Sequence, residues 1–441
     1  MKHAIFQHTD ELTGPVRSYR ASAWRGLRDG AVATDSANGL NFVRSVPRLD
    51  MAALERALEH LARRHPVLAA RLEDRDGSAW IVRGEPTAAF SPRDLSNTPP
   101  AEARALAVEQ TGDLIWSPLD VGRGPLWRSF ALHLGKDEHR WGFVAHHFIV
   151  DRVALRILID EAMRIYAAEI GGRLPELPPV SLSYEVYLAR LGAWLESPEG
   201  MSQRRWCVDH LSRIPRWVLP VDHAQAQDRE YFILDEDLTQ AVRTCARRCK
   251  TTVFIVLLAA QAALLRSYST SDYVALKVVT DGRETSELRG VVGNLADRLF
   301  VLVGPTADDD FGAVVRAVHE ACLVARRRAF VRFDIVQADL AAAGLPSAAP
   351  VFNFHPSGRL QTGAQGPLPA GDPILPRPPR TTQPSASSGP YWLEMHDRGT
   401  VLSGHVRHGA TGRIADFLSA FDAILRAGCG APARVQEIAH A

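Results

Sequence analysis

The sequence predicts an α/β protein made of two sandwich-like lobes, and three observations carry that expectation. At 441 residues the chain is too long for one hydrophobic core, since single cores stop growing near about 250–300 residues. Strand-like alternation and helix-like spacing of apolar residues intermix through both halves instead of segregating. Between the halves, Pro175, Pro178 and Pro179 interrupt both patterns. The predicted division is residues 1–178 and 179–441, the second part holding a Pro-, Gly- and Ser-rich loop over 356–390.

The elements follow in order. Met51, Leu54, Leu58 and Leu61 recur at helical spacing behind Asp50, a suitable N-cap. Arg63-Arg64-His65-Pro66 ends that helix, because the residue before a proline avoids the helical region. Trp80-Ile81-Val82 reads as a strand, and 101–115 as a helix behind the Pro99-Pro100 bend. Residues 126–134 and 140–147 read as a hairpin joined through Gly135-Lys136-Asp137-Glu138. Asp151 opens a helix with Ala154, Leu155, Leu158, Ala162 and Ile165 on one face, closed by Gly171-Gly172. The second half gives helices over 253–268, 311–328 and 413–426, and strands over 273–279, 299–303, 350–354, 391–395 and 401–407.

Composition excludes several classes. Fifty-one Lys and Arg nearly balance fifty Asp and Glu, and no run of them forms a basic arm, so neither nucleic acid nor a membrane is expected as a partner. Residues 1–10 are polar, without the apolar region of a signal peptide. The longest apolar stretch, 253–265, is broken by Gln261 and falls short of the ~20 residues a spanning helix needs. Five scattered cysteines show no disulfide-scaffold spacing. Cys245 and Cys249 can share a helix face, but no second pair completes a zinc site. The expectation is a soluble, reduced, cytoplasmic protein with no metal and no bound cofactor.

No phosphate loop, nucleophile elbow or His-Glu-x-x-His pair occurs in the chain. What stands out is His146-His147 at the end of the second hairpin strand, with Asp151 four residues beyond His147. Alternation puts Trp141, Phe143, Ala145 and His147 on one face and turns His146 to the other. His147, at the strand-to-helix junction, is then the imidazole that projects into a cleft. A group titrating near ~6.5 can take a proton from an attacking amine or hydroxyl at neutral pH. On the first hairpin strand, Arg128 shares a face with Leu126, Phe130, Leu132 and Leu134. A buried guanidinium needs a carboxylate, and Asp151 is the nearest candidate. Spacing alone leaves a second reading open, an incidental His pair with Asp151 as a simple N-cap. Strand alternation separates His133, His139, His146 and His147, which argues against a metal cluster there.

Gly124-Pro125-Leu126-Trp127-Arg128 followed by His146-His147-x-x-x-Asp151 resembles the condensation domains of nonribosomal peptide synthetases. Their superfamily includes chloramphenicol acetyltransferase and polyketide-associated acyltransferases. Further segments resemble the same family in order and spacing. They are Arg64-His65-Pro66-Val67-Leu68, Arg205-Trp206, Leu219-Pro220-Val221-Asp222, Asp281-Gly282-Arg283, Val292-Gly293-Asn294-Leu295 and Pro350-Val351-Phe352-Asn353-Phe354. The likeness covers the chain from about residue 40 on.

The resemblance implies two chloramphenicol-acetyltransferase-like lobes in a V-shaped pseudo-dimer, and a free-standing condensation-type acyltransferase. It would form an amide or ester in natural-product biosynthesis. The donor would ride on the phosphopantetheine of an acyl or peptidyl carrier protein, or on CoA, and the acceptor would be a small molecule. It implies His147 as the catalytic residue, with His146, Asp151 and Arg128 as structural support and Asn353 near the acceptor. Where the family motif continues with glycine, this chain has Arg152. Its guanidinium suits an acidic group on a substrate or on phosphopantetheine, so Arg152 joins Asn353 as an expected substrate-binding residue. The alternative is a catalytically inactive condensation-like domain that docks a tailoring enzyme or carrier protein.

Overall fold

The computed structural model describes residues 13–15, 39–215, 228–269, 271–305, 310–357, 391–408 and 414–430. The segment Leu219-Pro220-Val221-Asp222 and nearly all of the expected 356–390 loop lie outside them. The chain divides into two compact units. Among the described residues, unit 1 takes 13–194 and 281–296, and unit 2 takes 195–280, 297–357 and 391–430. Unit 1 therefore runs past the expected division at 178/179 and recruits a segment from the second half of the chain.

Unit 1 holds two sheets. β1 (Thr13–Pro15), β4 (Ser78–Arg83) and β3 (Ala70–Arg75) form one, in that order. The other runs β2 (Gly39–Val46), β7 (Glu138–His146), β6 (Trp127–Gly135), β5 (Phe90–Asp94). The β6–β7 hairpin is tighter than expected, since Gly135 already pairs with Glu138. Gly142 is required opposite Phe130, because a Cβ there would lie 2.1 Å from the Phe130 ring. Phe130, Leu132, Leu134, Val144 and Val43 form a core with Ala107 and Ile115 of α2 (Pro100–Trp116).

Helices α1 (Met51–Arg64) and α3 (Arg152–Ile170) are capped by Asp50 and Asp151, whose carboxylates accept from Ala53 N and Ala154 N. They are joined by a buried ionic group. Glu161 Oε2 of α3 takes His65 Nε2 at 2.6 Å and Arg64 Nε at 2.9 Å. The Arg64-His65 pair is thus structural. α4 (Tyr184–Glu196) follows.

Unit 2 is built on a mixed sheet ordered β10 (Asp297–Val303), β9 (Val274–Thr280), β11 (Val351–His355), β12 (Trp392–Asp397), β13 (Leu402–His408), β8 (Asp228–Leu234). Its helices are α5 (Pro198–Leu211), α6 (Glu236–Arg248), α7 (Val253–Arg266), α8 (Phe311–Arg326), α9 (Phe333–Ala342) and α10 (Ile414–Cys429). One sheet face, with Val278, Leu299, Val301, Phe352, Leu393, Met395, Leu402 and Val406, packs into the main core. α7 is the central helix of that core and is apolar almost all round, as a helix buried on every side must be. No single helix among the described residues is long and apolar enough to cross a membrane.

The opposite face of the same sheet mixes apolar side chains such as Phe300 and Trp392 with a polar group, Lys277, Arg298, Asn353, His355, Glu394, His396, His405 and Arg407, by register. Lys277 is 1 % exposed, with its ammonium 5.4 Å from the Phe300 ring centroid and 5.3 Å from that of Phe333. Burial, aided by the charge of Arg298, pushes its pKa down to about 7.

Candidate active site

The strand β7 ends at His146, one residue earlier than expected, and the chain then folds into a tight turn. His146 N donates to Leu126 O at 2.8 Å, closing the hairpin, while His146 O accepts from Ile149 N at 3.1 Å and Val150 N at 3.2 Å. The His146 ring is 1 % exposed, stacks on Phe148 at 4.7 Å, and takes Phe148 N on Nδ1 at 3.1 Å. Its role is to shape the turn. Phe148, Ile149 and Val150 are buried beneath it.

His147 leaves the strand at the top of this turn and stays partly exposed. Its Nδ1 lies 2.9 Å from Val150 O. A carbonyl oxygen only accepts, so this contact requires the proton on Nδ1 and puts the basic lone pair on Nε2. The backbone carbonyl of His147 accepts from Asn294 Nδ2, which ties the turn to the 281–296 segment. The imidazole is thereby held in one tautomer and one orientation.

Asp151 is the anchor of the site. Its Oδ1 caps α3 through Ala154 N at 2.8 Å. Its Oδ2 accepts from Arg283 Nη1 at 2.6 Å, Leu295 N at 2.8 Å and Ala296 N at 3.1 Å. Its own N–H donates to Gly293 O at 3.3 Å. The carboxylate and guanidinium side chains are 2 % and 3 % exposed. Arg283 is aimed by Gly282, whose φ of +66° favours glycine, and is braced by Asp281 O at 2.9 Å and Val291 O at 3.0 Å. Gly293 lets the loop lie against Tyr184. A Cβ there would come within 2.2 Å of the Tyr184 ring, and the Tyr184 hydroxyl donates to Asn294 O at 3.1 Å.

The expected Arg128–Asp151 pair does not form. Register sets Arg128 opposite Val144, on the face covered by α2. There the guanidinium donates to Leu114 O at 3.4 Å, in the last turn of α2, and to Pro118 O at 2.5 Å, just beyond it. Burial lowers its pKa. Among the described residues these two carbonyls stand where a carboxylate was expected, and Asp151 takes Arg283 instead. Arg283 and Asn294 both lay in segments that drew attention in the sequence, but nothing local ties either to a residue more than a hundred positions earlier.

Arg152, the first residue of α3, is exposed. Asn353 belongs to unit 2, where it is half-buried on β11 with Nδ2 3.1 Å from His355 Nε2. Glu394 on β12 gathers the neighbours. Burial acts to raise its carboxyl pKa, but the hydrogen bond from His355 and the charges of His355, Arg407 and His405 outweigh it and hold the group well below the carboxylate range. Burial, with help from His355, pushes His396 down to about 4.

A family model described as the condensation domain matches residues 38–358. Phosphinothricin tripeptide synthetase PhsB of Streptomyces viridochromogenes is 27 % identical over 350 residues, which are 77 % of this chain and 29 % of that protein. The chain spans less than a third of the length of the curated relatives it matches. The fold matches SgcC5 of Streptomyces globisporus at a TM-score of 0.71 and 20 % identity, over 94 % of this chain and 98 % of that one. It matches the X-domain from teicoplanin biosynthesis at 0.73 and 20 %, over 98 % of each chain.

Proposed function

Because the chain belongs to the condensation-domain family, we propose that it is an acyltransferase acting on a thioester donor carried by phosphopantetheine or CoA. An amine or hydroxyl of a small-molecule acceptor attacks the thioester carbonyl. His147 Nε2 takes the proton from the nucleophile, the tetrahedral intermediate collapses, and the C–S bond breaks. The thiolate leaves with that proton, and the product is an amide or an ester. The observation that carries this reading is the His147 Nδ1 contact with Val150 O, because it sets the ring up as a base at Nε2. Asp151 and Arg283 act as positioning residues that hold the turn.

The test uses thioester donors on carrier proteins and on CoA with a panel of amine and alcohol acceptors, with product detected by mass spectrometry. His147→Ala is expected to lower kcat/KM by about 10²–10⁴-fold, with Tm unchanged because the side chain is partly exposed. A near-normal rate in His147→Ala sinks the assignment.

One observation favours a second reading, a docking platform for a carrier protein or tailoring enzyme. Arg152 replaces the glycine of the family motif and stands exposed at the start of α3, the helix that follows the His147 turn. The fold is also that of an X-domain whose complex with OxyB from teicoplanin biosynthesis is known. In the acyltransferase, Arg152→Gly is expected to change KM or donor preference while leaving Tm within a degree or two. Turnover that appears only in Arg152→Gly supports the platform.

A further inference from the structure

The polar face of the unit 2 sheet holds a cluster that the proposed chemistry does not use. β11 and β12 are parallel neighbours, and their register sets Asn353 against Glu394 and His355 against His396. Alternation keeps these four side chains on one face, opposite the face whose Phe352, Leu393 and Met395 enter the core. On it, Glu394 Oε1 lies 2.9 Å from His355 Nε2 and 3.6 Å from His396 Nε2. The ligand atoms of the three residues all lie within 4.8 Å of one another. The side chains are 17–25 % exposed, so the cluster is sheltered but reachable.

Hydrogen bonds alone satisfy this group poorly. His355 Nε2 carries either one hydrogen or one lone pair, yet it faces the Glu394 carboxylate and, at 3.1 Å, the Asn353 amide nitrogen. A hydrogen serves Glu394 and leaves the amide N–H without an acceptor; a lone pair serves the amide and confronts the carboxylate. Turning the amide lets one N–H be shared by two oxygens, but His396 Nε2 still stands beyond hydrogen-bond reach of Oε1. A cation among them takes every lone pair at once. At metal–ligand distances of about 2.1 Å, neighbouring ligands stand about 3.0 Å apart in an octahedron and about 3.4 Å apart in a tetrahedron. The 2.9 Å and 3.6 Å edges bracket these values.

We infer that His355, Glu394 and His396 hold a divalent transition-metal ion, with zinc the best match and the Asn353 side-chain oxygen or water completing the shell. Two imidazoles and one carboxylate are donors suited to zinc, and also to cobalt or nickel. Calcium and magnesium require oxygen-rich shells and are not expected. The two imidazoles stack at 4.6 Å and 13°, which presents both rings to the carboxylate; convergence on one ion takes a tilt of one ring. The far oxygen, Oε2, faces Arg407 Nη2 at 3.7 Å and His405 Nε2 at 3.9 Å, at ion-pair rather than hydrogen-bond range. Their charge draws Oε2 to that side and leaves Oε1 facing the imidazoles. Arg407 is itself drawn over the Trp392 ring at 4.3 Å. The ion staples β11 to β12.

The inference stands independently of acyl transfer, and its test needs no substrate. The full chain is stripped with EDTA, dialysed, and titrated with Zn²⁺ by calorimetry and with Co²⁺ by visible absorption. One equivalent is expected, with cobalt d–d bands and a Tm rise of about 5 °C at ~100-fold excess over Kd. His355→Ala and His396→Ala should each weaken binding by at least about 100-fold. Replacing His133 and His139, a second stacked imidazole pair at 4.5 Å, should change nothing. If an alanine variant fails to fold, Glu394→Gln, which preserves side-chain volume, decides by the same readout. Absence of saturable binding, or equal binding by the His355→Ala/His396→Ala double variant, overturns the site.

Discussion

Single residues at this site are interpretable through what a buried charge demands. Asp151 has four donors on its carboxylate and Arg283 among them, so removing Arg283 leaves a buried anion with a missing counter-charge. Arg283→Ala is expected to cost about 3–5 kcal/mol. Arg128→Ala loses only bonds to two neutral carbonyls and should cost about 1–2 kcal/mol. In double-mutant cycles by urea unfolding, Asp151 should couple to Arg283 and add independently to Arg128; coupling to Arg128 instead would refute the geometry. Lys277 makes the converse case, a group buried without a carboxylate among the described residues. Its folded pKa of about 7 lies below the unfolded value of 10.5. The desolvation penalty is therefore complete only below about pH 7. As pH rises toward 10.5 the unfolded chain holds more protons than the folded one, so stability from this site rises with pH. Lys277→Met should stabilise by about 1–3 kcal/mol at pH 6 and lose that gain by about pH 10; a gain constant across the range contradicts the assignment.

Elements show which features of the chain are local. The helix behind Asp50, the hairpin and the helix behind Asp151 were all legible, because cap, alternation and turn residues lie within a few positions of one another. β7 ends one residue before alternation predicts, since alternation cannot reveal that the His146 carbonyl is taken by the turn rather than by a strand. What joins α1 to α3 was not legible at all. Glu161 follows His65 by ninety-six positions and reads in the sequence as one more acid on a helix. Burial acts to raise its carboxyl pKa, but the hydrogen bonds and charges of His65 and Arg64 outweigh it, and the net shift is downward from 4.5. A depressed folded pKa means stability that is present above the unfolded value and lost as pH falls through the folded one. The helix pair should therefore loosen below about pH 4. Glu161→Gln should flatten that acid limb of the Tm–pH curve while lowering Tm at pH 7; an unchanged acid limb would show that other carboxylates control it.

At the scale of the molecule, the sequence reading of two α/β parts holds, but cutting the chain at the Pro-rich stretch separates groups that fold together. Asp151 lies in the first half, and Arg283, Asn294, Leu295 and Ala296, which hold it and the His147 turn, lie in a segment that unit 1 takes from the second. Chain order hid this because a contact spanning 132 positions leaves no periodicity to read. Its consequence can be tested with a fragment of residues 1–194. In the full chain Asp151→Asn keeps the helix cap but weakens the pair with Arg283, and should lower stability by about 2–4 kcal/mol. In the fragment the same carboxylate has lost Arg283 and two backbone donors, and its charge stays near the end of a folded turn with only the cap to satisfy it. The fragment should show a broad, weakly cooperative urea transition, and Asp151→Asn should sharpen it or raise its midpoint. The sign of one substitution thus reverses with the presence of the 281–296 segment. Destabilisation of the fragment by Asp151→Asn, as in the full chain, would mean that the first half satisfies Asp151 by itself.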